Sequence, residues 1–166
     1  MQHAKRFSPS SLERSMSCIA SIDHNATSPT GTIRTGNAVA SYGTLGHDFA
    51  EQKLLKPRTK LKMRIGNEYE VDGFKVVFDQ ALFDIVEKYV EYVKSFKTKT
   101  SVMYVEERVS FTDYIYCEDD HDDSGDGFGT SDCIIIDGDH AHIIDLKTGR
   151  NEVDATNNKQ GLAYAL

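Results

Sequence analysis

No stretch of the chain approaches the ~18 consecutive apolar residues of a membrane helix, so neither a membrane span nor a membrane partner is expected. The amino-terminal "MQHAKRFSPSSLERS" lacks the apolar core of a secretory signal. Cysteines are few: Cys18, Cys117 and Cys133 are odd in number and far apart. That argues against a disulfide scaffold and fits a reducing cytoplasm. Positive charge is the minority sign, with 19 Lys and Arg against 26 Asp and Glu and a net charge of −7. A generally basic nucleic-acid coat protein is thereby excluded. The excess is local, because six acids fall between Glu118 and Asp126 and the remainder is close to neutral.

What remains is an ordinary globular composition. At 166 residues, 39% apolar and 27% charged, the chain suits one domain, 1–166, with a core of its own. Its last residues, "NNKQGLAYAL", read as the first turns of a helix. Either the natural protein is this short or this is a C-terminally truncated fragment. Near the start, Ser8 and Pro9 open a helix with Leu12, Met16 and Ile19 on one face. Residues 21–42, rich in Ser, Thr, Gly and Asn, read as loop. "GTLGHDFAEQKLL" (43–55) reads as a helix with Leu45, Phe49 and Leu54 inward. "KPRTKLKMRIG" reads as loop or edge strand, and Asp72-Gly73 marks a hairpin. "QALFDIVEKYVEYVKSFK" (80–97) is the clearest amphipathic helix. The period then falls to two in "SVMYVEERVSF" (101–111), "SDCIII" (131–136) and "HAHIIDLK" (140–147). The fold class is α/β in the broad sense, an α+β arrangement of helices, a strand meander, and a last helix from about Asn157 or Asn158.

In the last two strands the chemistry concentrates. A Gly138-Asp139 turn sets Asp137 against His140 and Asp132 against Asp145. An Asp137-Gly138 turn instead makes Asp145 the diagonal neighbour of Asp132 on the same face. Directly opposed Cβ atoms stand ~4.5–5.5 Å apart, close enough for two carboxylates to share a cation. Alternation puts Asp145 and Lys147 on one side of the strand and Ile144 and Leu146 on the other. Paired carboxylates in a partly buried sheet repel, and need a proton, a cation or both. Mg²⁺ suits such a pair, and Lys147 can stabilise charge on a phosphate oxygen. The plainer alternative is an Asp–Lys ion pair at a strand end.

The motifs "GTSDCIIIDGDHAHIIDLKTGR" and "NNKQGLAYAL" resemble the core of the PD-(D/E)XK nuclease superfamily in its RecB-like branch. That branch carries an Asp, a strand hairpin, Asp-x-Lys and then Gln-x-x-x-Tyr, matched here by Asp132, Asp145, Lys147, Gln160 and Tyr164. Its earlier Gly-x-x-x-His matches Gly43 and His47, and "FSPSSLERSMSCIAS" is similar to its usual opening. Phage and prophage proteins of uncharacterised RecB-like type carry "GTLGHDFAE", "VEERVSF", "GTSD", "DLKTG" and "NNKQGLAYAL" in this order. The likeness covers most of the chain, weakly at residues 56–98.

The resemblance implies a restriction-endonuclease-like core, a central mixed sheet flanked by helices. It implies Mg²⁺ or Mn²⁺ held by Asp132, Asp145 and His47, with the Leu146 carbonyl as a further ligand. Lys147 would orient the attacking water, with Asp132, Asp145 and Lys147 as the catalytic set. Gln160 and Tyr164 would support the site and contact nucleic acid. The implied activity is metal-dependent hydrolysis of DNA, as an exonuclease in phage recombination or DNA processing. The implied partners are DNA and either a phage recombination protein or a second copy of the chain. The alternative is an inactive nuclease-fold module that binds nucleic acid or regulates. Two departures stand out. Cys18 matches the first cluster cysteine of related nucleases but lacks the following proline, and no cysteine follows Tyr164, so an iron–sulfur cluster is not expected. The fold also normally continues with a strand and a helix beyond Gln-x-x-x-Tyr.

Further candidates are weighed on spacing. Glu51 shares a helix face with His47. Glu107 shares the apolar strand face of Met103, Val105, Val109 and Phe111, as a further carboxylate or an arginine's partner. The basic run Lys53, Lys56, Arg58, Lys60, Lys62 and Arg64 is either a phosphate-backbone contact or a solvated loop. An EF-hand reading of "CEDDHDDSGDGFG" fails because its twelfth position is Ser131; an acidic loop is expected there. His140 and His142 lack convenient partners for zinc and read as strand-edge histidines.

Overall fold

A computed structural model describes residues 7–18, 20–21, 37–114, 127–149 and 153–166. The fold is mixed α+β, with the elements α1 (Leu12–Ser17), α2 (Ala38–Leu55), β1 (Glu68–Val71), β2 (Phe74–Val77), α3 (Gln80–Ser95), β3 (Val102–Ser110), β4 (Phe128–Asp137), β5 (His140–Ile144) and α4 (Lys159–Tyr164). The strands make a two-stranded sheet, β1-β2, and a three-stranded sheet ordered β3-β4-β5. Among the described residues no helix is long and apolar enough to cross a membrane.

Two compact units share the chain. One takes 35–106 and 132–153, the other 1–34, 107–131 and 154–166. The first holds the main core. α2 begins earlier than its glycines suggest, because Asn37 caps it by accepting the Ala40 N–H at 2.8 Å. The expected loop at 21–42 therefore ends before Ala38. The helix stops where Pro57 forces Lys56 out of helical geometry. Asp79 caps α3 through the Leu82 N–H at 2.8 Å and also accepts the Tyr42 hydroxyl at 2.8 Å, fixing the start of α3 against α2. The helical spacing of α3 then buries Leu82, Val86, Tyr89, Val90 and Val93. Each such side chain, fully buried, contributes roughly 1.5–3 kcal/mol. Phe49 of α2 meets Phe78 edge-on at a centroid distance of 4.3 Å, and Cys133, Ile135, Ile144 and Leu146 close the same core.

Both hairpins follow their turn residues. Asp72 and Gly73 both have positive φ, the requirement of the tight β1-β2 turn. β4 and β5 are antiparallel with Asp137 opposite His140 and Cys133 opposite Ile144, so the turn is Gly138-Asp139. β5 ends at Ile144, and "DLK" lies beyond the strand that the sequence extends to Lys147.

In the second unit, Phe7 bridges Gly127 in parallel and Phe111 donates its N–H to the Gly127 carbonyl at 2.8 Å. A short turn of 3₁₀ helix, Pro9–Ser11, leads into α1. Met16 is exposed rather than inward, and Ser15 takes the buried position. A Cβ on Gly129 would lie 2.5 Å from Pro9 Cγ and 2.8 Å from the Tyr164 hydroxyl, so no larger residue fits there. Tyr164 donates to the Thr130 carbonyl at 2.8 Å, and Asn158 caps α4 through the Gly161 N–H at 3.0 Å. Ile19 and the acidic stretch Glu118–Asp126 lie outside the described residues.

Candidate metal centre

The site forms where α2, β3 and β4 bring three side chains of the first unit together. Gly43 and Gly46 set the approach of α2. A Cβ on Gly43 would lie 3.0 Å from Thr148 Oγ1, and one on Gly46 3.2 Å from Thr148 Cγ2 and 3.1 Å from Leu82 Cδ1. Two glycines weaken a helix by about 1 kcal/mol each. Here they let the helix pack closely on the segment after β5 and bring His47 to the sheet.

Asp132 is the buried anchor, its side chain only 8% exposed. The Gly138-Asp139 turn places it, in register, opposite Asp145 just past the end of the ladder. Its Oδ2 accepts the Leu146 N–H at 2.6 Å, a short charge-assisted bond that replaces the ladder hydrogen bond where β5 ends. The Leu146 group tied to the site is thus its amide. Oδ1 faces His47 Nδ1 at 3.2 Å. That nitrogen is shielded from solvent, and among the described residues Asp132 is the carboxylate it faces.

The third member is Glu106 rather than its neighbour Glu107, which strand spacing offers as a further carboxylate or an arginine's partner. Glu106 has φ +52°, a left-handed conformation that costs a non-glycine residue about 1–2 kcal/mol. The residue breaks the alternation of β3. Val105 and Glu106 are both half-buried, Glu107 and Arg108 are both exposed, and the inward pattern resumes at Val109. Strict period two selects Glu107, and only the irregular backbone at 106 exchanges it for its neighbour. The sequence signal, two adjacent glutamates in "VEERV", does not say which one turns in.

One ligand atom each from His47, Glu106 and Asp132 lie within 4.8 Å of one another. The electrostatics are those of crowded anions. Burial and then the charge of Asp132 push the Glu106 carboxyl up to about 7, with His47 opposing. Burial and the same charge raise Asp145, against the pull of Lys147 and His47. Burial acts to lower His47, but contact with Asp132 and the charges of Asp132, Glu106 and Asp145 outweigh it and leave its pKa raised. Tyr89 is raised by burial and then by Asp132, and donates to the Ile144 carbonyl at 3.2 Å.

The donor set, one imidazole and two carboxylates with ligand atoms within 4.8 Å of one another, fits a divalent cation. A cation would relieve the repulsion that raises the Glu106 pKa.

The remaining expected residues divide. Asp145 is half-buried and holds the Lys147 ammonium at 2.7 Å, an ion pair at the strand end, and it stands outside the three-residue metal group. Glu51 is half-buried one turn along α2 from His47 and adds to the negative field on Glu106. Lys56, Arg58 and Lys60 are exposed. Gln160 and Tyr164 belong to the other compact unit, where Tyr164 bonds the Thr130 carbonyl.

No solved structure matches the chain. The sequence profile of a family described as proteins of unknown function, DUF2800, matches residues 3–166. The chain therefore belongs to the DUF2800 family.

Proposed function

We propose that this chain is a Mg²⁺- or Mn²⁺-dependent nuclease of the PD-(D/E)XK type that hydrolyses phosphodiester bonds in DNA. The observation that carries the reading is the convergence of His47, Glu106 and Asp132, with the Asp145–Lys147 pair beside them in the motif order of that superfamily. His47, Glu106 and Asp132 would hold the ion. When bound, a divalent cation supplies acidification of a water and withdrawal of charge from the phosphate.

The chain's own groups do the rest. Asp132 fixes the Leu146 amide and so the start of the Asp145–Lys147 segment. Asp145 holds the Lys147 ammonium, whose exposed end offers positive charge to phosphate oxygens as negative charge builds on them. The water oxygen bonds to phosphorus and releases a proton to solvent. The bridging P–O bond breaks, and the leaving oxygen takes up a proton. The products are a terminal phosphate and a hydroxyl. Within this reading, an exonuclease of phage recombination or DNA processing is the role that the motif resemblance supports.

The 2.7 Å Asp145–Lys147 contact also favours a second reading, in which the pair is purely structural and the fold binds nucleic acid without cutting it. End-labelled linear DNA and closed circular DNA, incubated with the full chain in Mg²⁺, Mn²⁺ or EDTA, separate the two. The nuclease reading expects cleavage with metal only, abolished in Asp145→Ala and Lys147→Ala variants that still melt cooperatively. Products from linear DNA alone would mark an exonuclease. Cleavage that persists in EDTA or in both variants overturns the reading.

A further inference from the structure

Between Gln52 and Asn67 the chain has six cations and no acid: Lys53, Lys56, Arg58, Lys60, Lys62 and Arg64. The segment carries +6 in a chain of net charge −7, which leaves −13 on the remainder. Such segregation is not needed for solubility, which mixed surface charge and a net charge of this size already provide.

The structure sorts the six into two kinds. Lys53 donates to the Thr59 carbonyl at 2.7 Å and stands 3.9 Å from Glu87. Arg64 donates to Gln52 Oε1 at 3.0 Å and lies 5.3 Å from the centre of the Phe49 ring. These outer two fasten the segment at both ends. Thr59 closes the turn between them, bonding the Lys56 carbonyl through its N–H at 2.9 Å and its hydroxyl at 2.7 Å. Leu61 anchors the segment in the core at 1% exposure. The inner four, Lys56, Arg58, Lys60 and Lys62, are all exposed, and none is in an ion pair among the described residues. Four like charges thus sit on one short segment fastened at both ends, which lowers the ordering cost of binding an anion that spans them.

The position narrows the partner. The segment leaves α2, the helix that carries His47, and Lys56 follows His47 by nine residues. At ~1.5 Å per residue that is about 13 Å along the helix axis, or about four steps of ~3.4 Å along one strand of a duplex. We infer that Lys56, Arg58, Lys60 and Lys62 form a sequence-independent track for the nucleic-acid backbone that begins, at Lys56, about four phosphate steps from the metal centre. This inference rests on the nuclease reading and names the substrate surface that would serve it.

The test is DNA binding by fluorescence anisotropy in EDTA, over a salt series, with labelled single- and double-stranded oligonucleotides. The wild type is compared with the variant Lys56→Gln, Arg58→Gln, Lys60→Gln, Lys62→Gln and with a control, Lys88→Gln, Lys94→Gln, on exposed positions of α3. Each lost phosphate contact lowers the salt slope of log K by ~0.9 on duplex or ~0.7 on single strands. The patch variant is expected to lose about 3.6 on duplex or about 2.8 on single strands, with the control unchanged. Its Mn²⁺-induced rise in Tm should equal that of the wild type. An unchanged slope in the patch variant overturns the inference, as does a wild type that binds phosphatidylserine vesicles but no DNA. The two readings fail separately. Patch-dependent binding without cleavage sinks only the nuclease, and metal-dependent cleavage with patch-independent binding sinks only the track.

Discussion

Replacing Asp132 by asparagine and by alanine separates two roles that the structure gives one side chain. Its Oδ2 is the partner of the buried Leu146 N–H, and its charge is one of several packed round His47. Alanine removes both. A buried N–H without a partner costs about 1–3 kcal/mol. In a chain of this size 1 kcal/mol moves Tm by roughly 2–4 °C, so Asp132→Ala should melt about 2–12 °C below the wild type in EDTA. Asparagine keeps an acceptor for Leu146 and removes the charge that raises Glu106 and Asp145. In EDTA it should melt at or above the wild type. Metal reverses the order. At an Mn²⁺ concentration 100 times its Kd the wild type gains about 2.7 kcal/mol, or about 5–10 °C, and Asp132→Asn should gain almost none. Thermal melts with and without Mn²⁺ read both arms. The reasoning is refuted if asparagine falls as far as alanine in EDTA, or if it keeps the full Mn²⁺ shift.

Gly46→Ala gains about 1 kcal/mol of helix propensity but meets Leu82 and Thr148 at 3.1 and 3.2 Å. Overpacking of this kind costs about 1–3 kcal/mol, so denaturant titration should show a net loss of about 1 kcal/mol, partly recovered by adding Thr148→Ser. Gly129→Ala faces Pro9 and the Tyr164 hydroxyl under 3 Å and should destabilise more strongly in the same assay, with no compensating helical gain. For pH the signs agree. Glu106 has a folded pKa of about 7 against an ordinary 4.5, so the metal-free fold holds the extra proton between those values. Stability in EDTA should therefore fall as pH rises through that window. Mn²⁺ needs the deprotonated site, so its apparent affinity should rise with pH through the same window; isothermal titration at several pH values reads this directly.

The helices and turns were legible in the sequence because their signals are local. The apolar stripe of α3, Asp72-Gly73 and the Asn157-Asn158 start of the last helix each act within a few residues, and the structure has an element at each. The register placing Asp132 opposite Asp145 was one of two open to arithmetic, and Gly138 decides it by taking positive φ at the first turn position. Where the sequence misleads, a non-local contact overrides a local rule. Strand period extends β5 to Lys147, but the Asp132 carboxylate captures the Leu146 amide and ends the ladder. Period two chooses Glu107, and one left-handed residue hands the site to Glu106. The segment 21–42 reads as loop and the helix as starting at Gly43, yet α2 extends back to Ala38 from its Asn37 cap.

The most direct measurement of the central claim is Mn²⁺ binding, followed by electron paramagnetic resonance of the free ion, to the wild type, Glu106→Gln and Glu107→Gln. The account predicts saturable binding in the wild type, retained in Glu107→Gln and weakened at least tenfold in Glu106→Gln. Equal binding by Glu106→Gln and the wild type, or loss in Glu107→Gln instead, would contradict it.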